Sequence, residues 1–297
     1  MAHTLKPIEQ QVIVITGASS GIGLATALLA AERGANLVLA ARSSGALHDI
    51  AGEINAAGGA AVAVVADVAS RDEVEAVASR AIAQYGRIDT WVNDAAVSIY
   101  GRLEEVDEAD SRRLFDTNFW GVVNGSLTAL PHLRASKGAL VNIGSEVSDA
   151  VVPLQGMYAA SKHAVKGFTD ALRVEVENVE GAPVSITLVQ PTAVDTPFPQ
   201  HARNYMAQEP KLPDPMIDPL KVAAAILDAA ENGGRDVRVG AMAAMNVSLS
   251  RFAPALADRM SAMQANRQQE DLPPLDPEGT LFKAGESGRI TGAVTKR

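Results

Sequence analysis

Cysteine is absent from this 297-residue chain, which excludes disulfides and thiol chemistry. Positive charge is also scarce: 26 Lys and Arg stand against 35 Asp and Glu, for a net charge of −9. A nucleic-acid surface needs clustered cations to replace phosphate counterions, and Arg134 and Lys137 are an isolated pair, so no nucleic-acid partner is expected. No apolar run is long enough to span a bilayer, and Lys6, Pro7 and Glu9 stand where a signal peptide would have its apolar core. A cytoplasmic protein without a membrane partner is the expectation. His3, His48, His132, His163 and His201 show no paired metal-ligand spacing, so no metal site is expected, and the sequence carries no internal repeat.

What the chain has is apolar content, 47%, enough for a large core. Apolar runs at Val12–Ile15, Asn36–Ala40, Ala61–Val65, Thr90–Asn93, Leu140–Ile143, Val184–Val189 and Asp236–Val239 read as strands. Helical patterns between them begin at Ser20, Ser43, Ser70, Glu104, Met157 and Pro219. Strands rich in Val, Ile and Ala suit a parallel sheet buried on both faces. The expected class is α/β, a doubly wound parallel sheet, with ligand loops gathered at its carboxyl edge.

Two motifs carry chemistry. Val12–Ile15 runs into Thr16-Gly17-Ala18-Ser19-Ser20-Gly21-Ile22-Gly23 and then a helical stretch. Gly17 permits the tight turn, Gly21 a close backbone approach and Gly23 the packing of helix on strand, with the helix N–H groups facing a pyrophosphate. Farther on, Tyr158 and Lys162 share one helical face by their four-residue spacing. A nearby ammonium would favour the phenolate and so bring a tyrosine of pKa about 10 toward use near neutrality.

From about Gln11 to Gly240 the ordered set of motifs resembles the short-chain dehydrogenase/reductase family. The set comprises T-G-A-S-S-G-I-G at Thr16–Gly23, Asp67-Val68, Asn118, Ser145, Y-A-A-S-K at Tyr158–Lys162, and Pro191 followed by Thr196. The resemblance implies a Rossmann fold and an NAD(P)-dependent oxidoreductase acting on a secondary alcohol or ketone. It implies catalytic roles for Tyr158 as general acid/base, Lys162 as its tuning cation and nicotinamide-ribose partner, Ser145 as a hydrogen-bond donor to substrate, and Asn118 as support for a proton-returning water chain. Cofactor contacts are implied for Thr16, Gly17, Ser19, Ser20, Gly21, Ile22, Gly23, Asn93, Tyr158, Lys162, Pro191, Val194 and Thr196. Asp67 would accept from the adenine amino group, with Val68 backing the ring. The family also implies a homo-oligomer, dimer or tetramer.

Cofactor choice has a physical argument of its own. Where an acidic residue would bind the ribose 2′-hydroxyl and repel a 2′-phosphate, the second strand ends in Arg42 and Ser43. A planar cation and a hydroxyl favour NADP(H), with NAD(H) still possible.

The stretch 191–218 is proline-rich and is expected to be a substrate lid bearing Phe198, His201, Tyr205 and Met206. Val152, Pro153, Leu154 and Met157 read either as an apolar wall or as core, while Glu146 beside Ser145 would select a polar or cationic group. Residues 1–245 are expected to form the catalytic domain. Residues 246–297 would be an extension, first helical, then extended or disordered, that packs on this or a neighbouring subunit. Two stretches depart from the family. Asn93-Asp94-Ala95-Ala96 replaces N-N-A-G, leaving Asp94 to find donors or become protonated, and Thr192 follows Pro191 where glycine is common. The competing reading is a catalytically silent protein that senses dinucleotide and signals through its tail.

Overall fold

The computed structural model describes residues 4–285 and 288–292. His3 and the last residues of the expected extension lie outside the described residues. The strands are β1 Val12–Thr16, β2 Asn36–Ala41, β3 Ala60–Val65, β4 Thr90–Asn93, β5 Ile99–Tyr100, β6 Ala139–Ile143, β7 Ser185–Pro191, β8 Arg203–Asn204 and β9 Asp236–Val239. The helices are α1 Gly21–Glu32, α2 Ser44–Ala56, α3 Arg71–Tyr85, α4 Glu108–Phe115, α5 Gly121–Ser136, α6 Gly156–Arg173, α7 Pro219–Asn232, α8 Ala241–Phe252 and α9 Pro254–Ala262. None is long and apolar enough to cross a membrane among the described residues.

Seven strands pair in parallel in the order β3-β2-β1-β4-β6-β7-β9, a Rossmann-type sheet. Side chains alternate between the two faces, as strand geometry requires. Ile13 and Ile15 join Leu37 and Leu39 under α1, α2 and α7, whereas Val14 and Val38 join Trp91 and Leu140 under α3 and α5. Every residue of β1 and β4 is buried, which explains why these runs read as continuously apolar rather than alternating.

All seven expected strands form, with ends within two residues of those read from the apolar runs. The short β5 and β8 were not expected. They pair with each other in a separate two-stranded ribbon, so the segment 191–218 is not wholly irregular. The fourth helix begins at Glu108 rather than Glu104. The Glu105 carboxylate accepts from Arg102 N at 3.2 Å and Glu105 N donates to Arg102 O at 2.9 Å, closing a separate turn before the helix starts. Helix α4 then passes through a wider turn, Asp116–Trp120, into α5, and that turn carries Asn118.

Beyond α9 the chain returns along the 191–218 segment instead of leaving the molecule. Glu209 N donates to Leu272 O at 2.8 Å, its carboxylate accepts from Leu275 N at 2.8 Å, and Asn204 N donates to Pro277 O at 2.9 Å.

At the amino edge of the sheet, buried Asp89 accepts from Val12 N and from Arg87 Nε, each at 2.8 Å, and pairs with Lys6. Asp89→Ala should therefore cost about 2–4 kcal/mol, because a sheet N–H and two cations lose their acceptor. Lys6→Ala, which leaves Arg87 in place, should cost less than about 1 kcal/mol. Urea unfolding of the two variants measures the difference.

Candidate active site

Strand order reverses between β1 and β4, and a cleft opens at the carboxyl ends of the strands there. Gly17, Ser19, Ser20, Gly21 and Ile22 form its floor between β1 and α1. Gly17 has φ +77°, and a Cβ on it would lie 2.7 Å from Ala95 N. A Cβ on Gly23 would lie 2.3 Å from the Gly17 carbonyl, so this glycine lets helix and turn touch. Both positions exclude a side chain for steric reasons. Gly23 contacts the turn from beneath and does not itself face the cleft.

One end of the cleft is lined by Arg42 and Ser43 after β2 and by Asp67 and Val68 after β3. Arg113 of α4, which carried no sequence signal, forms an ion pair with Asp67. Burial lowers the Arg42 pKa, the Asp67 charge opposes that shift and Arg113 adds to it.

At the other end stand Ser145, Glu146 and Val152, Tyr158 and Lys162 of α6, and Pro191, Val194 and Thr196 after β7. Helix α6 has a pronounced apolar face against the sheet, which draws Lys162 inside with it. The Lys162 ammonium donates to Ile143 O at 2.8 Å and lies 5.7 Å from the centre of the Tyr158 ring, so both residues do share one helical face. The Ser145 hydroxyl lies on the same cleft wall as the Tyr158 phenol and favours its ionised form. The Ser145 hydroxyl also accepts from Val147 N at 3.3 Å, which fixes the turn that carries it.

The lowering of the Tyr158 pKa expected from Lys162 is outweighed. Burial pushes the phenol up, the Ser145 hydroxyl pulls it down, and the charges of Asp94 and Glu146 push it up again. The cation sits over the ring rather than at the phenol oxygen. Burial likewise pushes the Lys162 ammonium down, with Asp94 opposing it. Asp94 is itself pushed up by burial, held back by the charge of Lys162 and by an N–H bond from Gly23. A carboxyl group in place of the usual amide is thus driven toward its protonated form, with Lys162 opposing that shift.

The other departures are also accommodated. Among the described residues Lys137 and Leu154 are the only non-glycine positions with positive φ, so Ala96 occupies a conformation that needs no glycine. Thr192 donates to Glu146 at 3.1 Å, and Asn246 of α8 donates to the same carboxylate oxygen at 3.0 Å. Burial pushes Glu146 above the ordinary carboxylate range, and these two bonds hold it back.

Several expected residues lie behind the cleft wall. Asn118 Nδ2 donates to Val97 O at 2.9 Å and to Ser161 Oγ at 3.1 Å, while its Oδ1 accepts from Val97 N at 2.8 Å. Its amide therefore braces the backbone after β4. Asn93 Nδ2 donates to Asn142 and Ser126, and its Oδ1 accepts from Trp91 Nε1, all within the core. Thr16 donates to Val92 O at 3.3 Å between β1 and β4. Leu154 adopts φ +67° and passes its carbonyl to Gly101 N at 2.8 Å.

From the expected lid, Phe198 and His201 reach the cleft, with Phe198 5.3 Å from the Tyr158 ring centre. Burial, then the charge of Arg289, holds the His201 imidazole below its ordinary range. Tyr205 turns away to donate to Asp110 at 2.7 Å.

Sequence reasoning missed the contribution of the tail. Thr280, Ala284 and Gly285 line the cleft, and Gln268 approaches it through a 2.7 Å bond from Gln155. The one available signal was the apolar pair Leu281-Phe282 in a polar stretch, of which Leu281 is fully buried.

Comparison with known proteins agrees with this geometry. The family model described as short chain dehydrogenase matches residues 11–206. The uncharacterized oxidoreductase YxnA of Bacillus subtilis (strain 168) is 44% identical over 286 residues, covering 95% of this chain and 80% of its own length. The 11-beta-hydroxysteroid dehydrogenase A of Sesamum indicum is 37% identical over 232 residues, 77% of this chain and 65% of its own length. A short-chain dehydrogenase/reductase from Burkholderia phymatum, solved in complex with NAD, superposes with a TM-score of 0.76 at 26% identity, covering 92% of this chain and 99% of that one. An alcohol dehydrogenase from the archaeon Thermococcus sibiricus, complexed with 5-hydroxy-NADP, gives 0.67 at 27% identity over 77% and 95% of the two chains. With a match that runs through the glycine turn, the Tyr158 helix and the full sheet, this chain belongs to the short-chain dehydrogenase family and is an oxidoreductase of that family.

Proposed function

We propose that the protein interconverts a secondary alcohol and a ketone-type carbonyl with NADP(H), using Tyr158 as the proton donor and acceptor. The observation that carries this reading is the Ser145–Tyr158–Lys162 constellation, two hydroxyls lining one cleft with an ammonium 5.7 Å from the phenol ring centre. The residues present fit a nicotinamide dinucleotide. The glycine turn and the first residues of α1 line the cleft, where a helix N-terminus favours a pyrophosphate. When bound, the dinucleotide supplies or accepts the hydride.

The chain's own residues handle the proton. Burial keeps the Tyr158 phenol protonated through the neutral range, the state needed to donate to a carbonyl oxygen as negative charge develops there. Ser145 offers a second donor to that oxygen, in the manner of an oxyanion site. Lys162, over the ring, stabilises the phenolate left after transfer. Asn118 serves by holding the Val97 backbone and Ser161 in place. In the substrate half of the cleft, Val152 and Phe198 supply apolar surface and Glu146 and His201 the polar contacts, which suits a small to medium substrate with one polar group. NADP(H) preference rests on Arg42 at the end of β2, where no acidic side chain stands to repel a 2′-phosphate. NAD(H) fits the same cleft without that contact.

Three outcomes are expected. Tyr158→Phe should reduce kcat by about 10²–10⁴-fold while NADPH affinity, read by fluorescence titration, stays within about threefold. Arg42→Ala should raise KM for NADPH by about tenfold or more and leave KM for NADH nearly unchanged, as paired steady-state assays would show. Asp94→Asn removes the charge that favours the Lys162 ammonium, so the Lys162 pKa falls further. The alkaline limb of the carbonyl-reduction pH profile should then move to lower pH; a limb that stays or moves up would refute the coupling.

A further inference from the structure

The donors that the sequence assigns to the cofactor are not directed only at the cleft. Arg42 donates from Nη2 to Thr280 O at 2.5 Å and from Nη1 to Leu281 O at 3.2 Å. Arg113 Nε donates to the same Leu281 carbonyl at 3.2 Å. Ser43 Oγ donates to Gly285 O, and Gly21 N, in the glycine turn itself, donates to Arg289 O at 2.9 Å. Farther along, Gln200 donates to Gly292 O at 3.0 Å, and Gly292 N donates to Asp195 at 3.2 Å. Residues 280–285 therefore lie against the Arg42 end of the cleft, and residues 288–292 against the glycine turn and the start of the 191–218 segment. Thr280, Ala284 and Gly285 line the same cavity as Arg42 and the glycine turn, so they form its outer wall and the space between remains open.

The first of these stretches is anchored by side-chain burial. Leu281 has no exposed surface and packs in a cluster with Val97, Ile99 and Leu114, against which Tyr158 and Met157 also rest. Thr280 N donates to His201 O at 2.8 Å. Full burial of a leucine contributes roughly the driving force of a single core residue. That is enough to hold a segment whose other ties are main-chain hydrogen bonds, yet small enough to be broken locally without unfolding the sheet.

We infer that the described residues 280–285 and 288–292 complete the dinucleotide site as a strap, with Leu281 as its anchor. It fixes Arg42 and Ser43 through main-chain carbonyls and retains bound cofactor, which cannot leave until the strap opens. The inference rests on the cleft being a dinucleotide site. The carbonyls of Thr280 and Leu281 take two of the guanidinium N–H groups and set its plane, leaving the others for a ligand. The open space beneath the segment makes it a cover over the ligand instead of a substitute for it.

Limited trypsin digestion of the full-length chain tests this directly, because Lys283 and Arg289 are exposed on the strap. A bound nucleotide that is enclosed should hold the strap shut and slow cleavage after Lys283 and Arg289 by about fivefold or more, for NADP⁺ or NAD⁺, whichever binds. Nucleotide affinity is measured on the same samples by fluorescence titration. Binding accompanied by unchanged cleavage overturns the strap alone. Binding accompanied by faster cleavage also overturns it, showing that the segment competes with the nucleotide. No binding of either nucleotide overturns both the strap and the dinucleotide reading. As a second measurement, Leu281→Asp should raise the NADPH dissociation rate in stopped-flow displacement by about tenfold or more, with the alcohol–ketone reaction still detectable. An unchanged dissociation rate in a folded variant would overturn the anchor. The wild-type digestion does not depend on that variant folding.

Discussion

In a parallel sheet covered by helices on both faces, the interior strands can expose backbone only at their ends, and the rest of this molecule follows from that constraint. Because β1 and β4 are buried along their whole length, no polar group can be introduced along them without a partner. Asn93, Asn142, Ser126 and Thr16 accordingly bond to one another or to neighbouring backbone. The cleft is lined largely by residues just after the strands, where the reversal of strand order leaves a crevice, with Tyr158 and Lys162 added from α6. Arg42, Asp67, Asp94, Ser145 and Pro191 each follow or end a strand, which brings side chains far apart in sequence around one cleft.

The same burial sets the protonation states. Three titratable groups, Asp94, Tyr158 and Lys162, are removed from water together, and each is driven toward its neutral form. Lys162 and Asp94 keep their charges partly for each other's sake, while Tyr158 has only a hydroxyl partner and stays protonated. Under the proposed function, negative charge developing on a substrate oxygen beside this tyrosine would draw its proton out. Carboxyl chemistry at position 94 is thus part of the electrostatic balance of the site, whatever its origin as a departure from the family motif.

Glu146 shows a similar exchange. Thr192 and Asn246 of α8 both donate to its carboxylate. The wall after β7 and the chain beyond β9 are thereby tied to the residue next to Ser145. Farther on, the carboxyl-terminal stretch follows the 191–218 segment back to the cleft, so two regions that the sequence presents as separate excursions pack as one cover.

The sequence by itself determined the seven sheet strands, the glycine turn and the pairing of Tyr158 with Lys162, because each depends on local pattern: apolar runs, glycines where a Cβ would collide, and four-residue helical spacing. It also anticipated that Asp94 must find donors or become partly protonated, and burial drives it toward the second. The tertiary structure alone decided that Asn118, Asn93 and Thr16 brace the cleft from behind, since a polar residue's partners are set by which backbone is packed against it. It alone placed Arg113 against Asp67 and raised the Tyr158 pKa through burial, which no spacing encodes. The course of the tail belongs there too. Its contacts with Arg42, Ser43 and Gly21 are made by main-chain carbonyls, which every residue type possesses, so only the folded chain's path could reveal them.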